Sequence, residues 1–204
     1  MYAAHNELAG LEGDEVTNTY GNRGMSFESL IEYANRQYRQ DGIAVIEKQH
    51  TLCKPLRNGT GRIVSAKYEE KATVDFMGRY GERPIAFEAK HCSADKIDLK
   101  RVAQHQCRFL QEWTAEPAAI GFVIISFRLS TFYLVPWDYW QAALDAREKR
   151  TGSTVILEPV KTEWQTTRKA SIRMDELPAE WEIKLGGRIA IDYLAAVRKL
   201  WKLE

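Results

Sequence analysis

The sequence predicts an α/β or α+β fold, in which helices pack on a mixed β-sheet. Helical and strand-like patterns alternate along the chain in the order helix, strands, helix, strands, helix. The length of 204 residues fits one domain, and no stretch rich in Pro, Gly or Ser marks a linker to a second one. We therefore expect a single domain over residues 23–204, preceded by a flexible acidic tail over residues 1–22.

Bulk composition excludes several classes of protein. The formal net charge is only +1, so any affinity for nucleic acid must come from local basic stretches. The three cysteines show no CxxC spacing, which argues against a disulfide framework or a Cys-based zinc site and favours a reducing compartment. No signal peptide, targeting helix or apolar run of the ~20 residues that span a membrane is present. The expected protein is soluble and intracellular.

The first ordered element is predicted to be an amphipathic helix. Ser26 is a candidate N-cap, and the helix is expected to end before Asp41 and Gly42. Five apolar residues recur at helical spacing: Phe27, Leu30, Ile31, Ala34 and Tyr38. Glu28 lies at the edge of this apolar face.

Strand patterns and turn signals fill much of the middle of the chain. The predicted strands are IAVIE (43–47, buried), TVDFM (73–77), PIAFEAK (84–90), AIGFVIISF (119–127) and TFYLV (131–135). NGTG at 58–61 marks a turn before a mixed basic segment. A turn about residues 81 and 82 joins the second and third strands into a β-hairpin.

Three further helices are expected. In LKRVAQHQCRFLQEW (99–113), one face would present Leu99, Ala103, Gln106, Leu110 and Trp113, so a polar glutamine lies in an apolar stripe. WDYWQAALDAREKR (137–150) is helix-like, and a final helix is expected around IAIDYLAAVRKLW (189–201).

The third predicted strand carries the residues that suggest chemistry. Side chains alternate faces along a strand, so Glu88 and Lys90 project together. The hairpin register puts Asp75 opposite Glu88 on the same face. Two carboxylates directly across a strand pair repel each other unless a cation lies between them. Lys90 supplies one positive charge, and a divalent metal ion would supply the rest.

This arrangement suits phosphodiester hydrolysis. Mg²⁺ takes oxygen ligands, usually one or two carboxylates together with water and phosphate. A neighbouring lysine can orient the attacking water or neutralise the charge that develops on the phosphate. The alternative interpretation of the same residues is that Glu88 and Lys90 lie on the solvent-exposed face of a hairpin and have no catalytic role.

Several motifs together resemble one family. NRGMSFE (22–28), GIAVIEK (42–48), TVDFMGRY (73–80), IAFEAK (85–90), HQ (105–106) and GFVIISF (121–127) occur in this order. With them the chain resembles the RecU-type Holliday-junction resolvases of the PD-(D/E)xK nuclease superfamily. The resemblance continues through RKASI (168–172) and IDYL (191–194). It implies a restriction-endonuclease-like fold, a homodimer, dependence on Mg²⁺ or Mn²⁺, and cleavage of four-way DNA junctions.

The resemblance also implies roles for single residues. By position, Asp75 and Glu88 would ligate metal and Lys90 would assist the water. Glu28 would add a carboxylate near the metal, and Gln106 would point toward the active site. The remaining implied positions are Thr73, which matches a threonine near the metal site, and Arg23, which would contact DNA or modulate junction handling.

A projecting stalk is implied between the first strand and the catalytic aspartate. Here it would span residues 49–72 and carry Arg57, Arg62, Lys67 and Lys71 as DNA contacts. Three features depart from the family pattern: the stalk is a few residues shorter, Val74 stands where a threonine is expected, and the tail is acidic. They fit a divergent member, of bacterial or phage origin.

The resulting hypothesis is a metal-dependent endonuclease that resolves Holliday junctions by symmetric paired cuts in recombination and repair. A two-fold dimer presents two identical sites to a roughly two-fold substrate. The expected location is the cytoplasm, with a recombinase as a candidate further partner. Two alternatives stay open: another PD-(D/E)xK nuclease acting on duplex or flap DNA, and a junction-binding accessory protein that does not cut.

Overall fold

The computed structural model describes residues 26–50, 52–70, 72–151 and 169–203. The helices are α1 Phe27–Gln40, α2 Gln104–Thr114, α3 Trp137–Thr151 and α4 Tyr193–Leu200. The strands are β1 Ala44–Lys48, β2 Leu52–Arg57, β3 Ile63–Glu70, β4 Phe76–Tyr80, β5 Arg83–Cys92, β6 Lys96–Asp98, β7 Ile120–Phe127, β8 Thr131–Pro136, β9 Ser171–Arg173 and β10 Glu182–Ile183. The predicted tail over residues 1–22 lies outside the described residues.

Six strands form the main sheet, in the order β1-β4-β5-β7-β8-β10. The β5–β7 pair is parallel and the other neighbouring strands are antiparallel, so the sheet is mixed. The chain crosses from β5 to β7 through β6, a 3₁₀ turn and α2, as parallel neighbours require. The predicted fold class, a mixed sheet flanked by helices, is confirmed.

Two apolar cores lie on opposite faces of this sheet. The first contains α1 and α4 residues such as Ile31 and Leu194, and the second contains α2 and α3 residues such as Leu110 and Trp140. Sheet residues alternate between the cores because successive side chains of a strand point to opposite faces. In the first core, ring centroids of Phe76 and Phe87 lie 5.0 Å apart, which fixes β4 against β5 below the candidate site.

Helix α1 confirms the sequence prediction. The Ser29 amide donates to Ser26 Oγ at 3.2 Å, which caps the first turn. The predicted apolar residues are all buried. The helix ends at Gln40, and Gly42 adopts a φ of +68°, a conformation that favours glycine.

Other predictions hold only in part. The strand expected over 43–47 is present as β1, but only one of its faces is buried: Ala44 and Ile46 are buried, whereas Val45 is 39% exposed because β1 lies at the sheet edge. The helix expected over 99–113 is split: Leu99–Arg101 forms a 3₁₀ turn, extended backbone follows, and α2 begins at Gln104. The final helix begins at Tyr193, where the Asp192 carboxylate caps it by accepting from the Ala195 amide.

The β2–β3 hairpin forms a separate two-stranded sheet. Its end projects into solvent, because all residues from 54 to 65 are exposed. The predicted NGTG turn closes it: the Asn58 side-chain oxygen accepts from the amides of Thr60 and Arg62. This hairpin occupies the region expected to form the stalk.

Within the described part of the chain, no helix combines the length and apolar character needed to cross a membrane.

Candidate active site

The candidate site lies just before the start of β4, where β5 no longer pairs with β4 but stays paired with β7. Cα partners run from Tyr80 with Arg83 to Phe76 with Phe87, which is the register predicted from the sequence. Asp75, just before β4, therefore meets Glu88. The Asp75 amide donates to Glu88 Oε2 at 3.2 Å, and the Ala89 amide donates to Asp75 Oδ2 at 2.9 Å. The two carboxylates are thus held side by side by backbone groups.

Two cationic or polar side chains complete the cluster. Lys90 forms an ion pair with Glu88 Oε1. Gln106 Nε2 donates to the same oxygen at 2.7 Å, and Gln106 Oε1 accepts from the Ala103 amide at 2.9 Å. The second bond fixes the orientation of the amide. The polar position in the apolar stripe of α2 is therefore explained by a contact with a buried carboxylate.

Glu88 has an unusual charge environment. Its side chain is completely buried. Burial, followed by the negative charge of Asp75, raises the pKa of Glu88 to about 7, although Lys90 acts in the opposite direction. Without a further cation, the site therefore favours a proton on Glu88 up to about neutral pH.

The donor set of the cluster fits a hard divalent cation. Asp75 and Glu88 offer carboxylate oxygens in one place, and their mutual repulsion would be relieved by a divalent charge. Among the described residues, no group of three or more His, Cys, Asp and Glu side chains is spaced to hold a metal ion. Two carboxylates with water and phosphate are the usual ligands of Mg²⁺, and the same oxygen ligands suit Mn²⁺.

Two further residues predicted near the metal make other contacts in this structure. Glu28 pairs with Lys48 on β1 at 2.9 Å, and Lys48 also contacts Glu32 at 2.8 Å. The hydrogen bonds that Lys48 donates to Glu32 and Glu28 raise the pKa of Lys48. Thr73 is exposed, and its hydroxyl lies 3.8 Å from the Met77 sulfur. Their predicted roles near a metal ion stay predictions.

Val74 departs from the expected threonine for a reason visible in the fold. Its side chain is completely buried and belongs to the second core, together with Ala86 and Val123. A buried threonine hydroxyl would need a hydrogen-bond partner here, whereas the apolar side chain of valine needs none.

The predicted DNA-binding residues lie in different parts of the chain. Arg57 and Arg62 are exposed on the projecting hairpin, and Arg57 Nη1 donates to the Gly61 carbonyl at 2.8 Å. Lys67 lies in β3, but its side chain is outside the described set. Arg23 and Lys71 are outside the described residues.

Sequence reasoning missed one side chain beside the cluster. Arg101 Nη2 donates to the carbonyl of His91, the residue after Lys90, at 3.0 Å. The continuous helix expected over 99–113 gave no reason to separate Arg101 from the helix surface. The available signal was Asp98, a favourable capping residue directly before the 3₁₀ turn.

Comparisons with known proteins connect this geometry to a family. The family model described as Recombination protein U matches residues 22–199. A protein named Holliday junction resolvase RecU from Bacillus pumilus (strain SAFR-032) is 31% identical over 193 residues, covering 90% of this chain and 83% of that protein. A protein of the same name from Geobacillus sp. (strain WCH70) is 28% identical, covering 89% and 86% respectively.

A structural comparison found Hjc from Archaeoglobus fulgidus, a Holliday junction resolvase of an archaeal hyperthermophile. Its TM-score is 0.34 at 11% identity, and the match covers 53% of this chain and 78% of that one. The family model, in contrast, spans most of the sequence, including every residue of the Asp75, Glu88, Lys90 and Gln106 cluster. The chain therefore belongs to the Recombination protein U family.

Proposed function

We propose that the protein is a metal-dependent endonuclease that resolves four-way DNA junctions by symmetric paired phosphodiester cuts. The observation that carries this proposal is the buried Glu88 carboxylate, held between Asp75, Lys90 and Gln106 in a chain of this family. The relatives named as Holliday junction resolvases supply the substrate class. Recombination and repair are the processes in which such junctions must be cut.

Each member of the cluster has a distinct part in the proposed reaction. Asp75 and Glu88 would hold Mg²⁺ or Mn²⁺, which when bound would supply polarisation of the phosphodiester and activation of water. Lys90, whose side chain is only 17% exposed, places its Nζ next to Glu88, where it can orient the attacking water or stabilise negative charge on the phosphate. Gln106 positions Glu88 by holding one of its two oxygens.

The projecting hairpin supplies the contact with the junction. Arg57 and Arg62 lie on its exposed end. The net charge of the chain is only +1, so DNA affinity depends on such local groups rather than on a uniformly basic surface. Contacts of this kind go mainly to phosphates and make binding strongly dependent on salt.

The active form is proposed to be a homodimer in the cytoplasm. One cluster cuts one strand, so paired cuts require two clusters, and a two-fold dimer matches the two-fold character of a four-way junction. A recombinase that produces such junctions is a candidate partner.

Cleavage mapping tests this function. The protein is incubated with Mg²⁺ and a mobile four-way junction, with each of the four strands labelled in turn, beside linear duplex and flap DNA of the same sequences. We expect cuts at symmetric positions in two opposing strands, confined to the junction and closed by ligase. Equal cutting of all three DNAs would instead indicate a general nuclease. Tight junction binding without cuts in Mg²⁺ or Mn²⁺ would overturn the enzymatic proposal.

A further inference from the structure

We propose that Arg101 binds a backbone phosphate of the DNA strand that passes the catalytic cluster. This inference rests on the proposed function, because it extends the same site along the substrate. It adds a phosphate contact on the body of the protein, separate from those on the projecting hairpin.

The backbone of β5 places Arg101 beside the cluster. The pairing of β4 with β5 ends at Phe76 and Phe87. Beyond that point the Ala89 amide donates to Asp75 Oδ2. The backbone N–H and C=O of Ala89 therefore face the side of β5 on which β4 pairs earlier in the strand. His91 lies two residues further and its backbone faces the same side, because pairing direction alternates along a strand. The guanidinium that bonds the His91 carbonyl therefore lies on the same edge of β5 as Asp75.

This spacing places Arg101 next to the carboxylates of Asp75 and Glu88 but not among the proposed metal ligands. His91 lies about 7 Å along the extended strand from Ala89, the residue whose amide Asp75 contacts. A DNA strand whose reacting phosphate lies at Asp75 and Glu88 would carry an adjoining phosphate past this edge.

The charge of Arg101 is available to a ligand. Its side chain is exposed, and no ion pair of Arg101 with a carboxylate occurs among the residues that the structure describes. A guanidinium has five N–H donors, and the contact with His91 uses one. Three other cations of the same region are paired with carboxylates: Arg128 with Asp95, Lys169 with Glu176 and Arg173 with Asp175.

The 3₁₀ turn under Arg101 is firmly anchored. Leu99 is 1% exposed, and its amide donates to the Ala170 carbonyl at 3.0 Å. The Asp98 carboxylate accepts from the Lys100 amide at 2.9 Å. A guanidinium on an anchored turn loses less freedom when it binds, and its planar fork matches the oxygens of a phosphate. Exposed Lys100 adds a second positive charge next to it.

Salt-dependent junction binding tests the role of Arg101. The variants are made in an Asp75→Asn background, so that binding can be measured without cutting. Arg101→Gln keeps an amide that can donate to the His91 carbonyl but removes the charge, and Arg101→Lys keeps the charge. Arg188→Gln is the matched control, because Arg188 is an exposed arginine paired with Asp41 beside the first core. Dissociation constants are measured over a range of salt concentrations.

We expect Arg101→Gln to weaken junction binding about tenfold and to lower the slope of log K against log salt by about 0.9. Arg101→Lys should recover the slope, and Arg188→Gln should match the parent. A folding defect would lower the fraction of active protein but would leave the salt slope unchanged. An unchanged slope in Arg101→Gln therefore overturns this inference and leaves the proposed function standing. If the unmodified protein neither binds nor cuts junctions in Mg²⁺, the proposed function fails, and this inference fails with it.

Discussion

At the scale of single residues, the carboxylate of Glu88 accepts from the Asp75 amide, Lys90 and Gln106, yet its pKa is raised to about 7. Complete burial and the charge of Asp75 outweigh these contacts. A metal ion held by Asp75 and Glu88 would therefore compete with the Glu88 proton at acidic pH. Metal affinity should rise as the pH rises toward neutrality.

The raised pKa of Glu88 predicts how the metal-free protein responds to pH. The folded state holds the Glu88 proton more tightly than the unfolded state, in which the pKa of a glutamate is 4.5. The resulting stabilisation is present at low pH and is lost as the pH rises from 4.5 to about 7, by about 3 kcal/mol. Glu88→Gln should remove this component of the pH dependence. The measurement is urea unfolding in a chelator at several pH values, and identical pH profiles for both proteins would contradict the assigned environment.

Gln106 is predicted to act through Glu88. Gln106→Ala removes the bond to Glu88 Oε1, which fixes one oxygen of a proposed metal ligand. Loss of such a supporting contact should reduce cleavage or metal affinity about 10–100-fold, with junction binding retained. The rate is followed as a function of Mg²⁺ concentration. Gln104→Ala, an exposed glutamine on the first turn of the same helix, is the control and should keep the parent rate. A full rate in Gln106→Ala would argue against the positioning role.

At the scale of elements, the projecting hairpin should contribute to binding rather than to chemistry. Arg62→Ala removes an exposed charge from its end. We expect a several-fold loss of junction affinity and a salt slope reduced by about 0.9, with the cleavage rate at saturating protein unchanged. Filter binding and single-turnover cleavage provide both values. Lys184→Ala, an exposed lysine paired with Glu182, should change neither. A slower saturated rate in Arg62→Ala would place the hairpin in the catalytic step.

Elements whose signals are local were predicted well. In α1, the Ser26 cap, the apolar period and the Gly42 stop all indicate the same helix. The β4–β5 register was predictable because a turn fixes which residues face each other, and this brought Asp75 to Glu88. The main parts of the candidate site could therefore be derived before the fold was known.

Elements governed by distant contacts were predicted less well. Leu99 fits a helical period, but its turn is fixed by the Ala170 carbonyl, which is far away in sequence. The apolar residues of β1 suggested burial, whereas the order of strands leaves β1 at an edge. The ion pair between Glu28 and Lys48 likewise depends on how α1 packs on β1. Short-range patterns do not contain this information.

At the scale of the whole molecule, one face of the sheet carries the packing that fixes the strands, and the other face carries the candidate catalytic cluster. Aromatic residues of the first core fix β4 against β5, while α2 on the opposite face brings Gln106 to Glu88. The cluster lies just before the start of β4, where the pairing of β4 with β5 stops. The hairpin projects from the same chain between β1 and β4. One fold thus combines a rigid site with a separate exposed element.

The measurement that tests the central claim most directly compares the unmodified protein with Asp75→Asn on a four-way junction in Mg²⁺. Asparagine keeps the size of the side chain and an oxygen for the Ala89 amide, but it removes the charge of a proposed metal ligand. We predict that cutting is abolished while junction binding is largely retained, because few phosphate contacts are lost. Cutting by Asp75→Asn at the rate of the unmodified protein would contradict the assignment of this cluster as the active site.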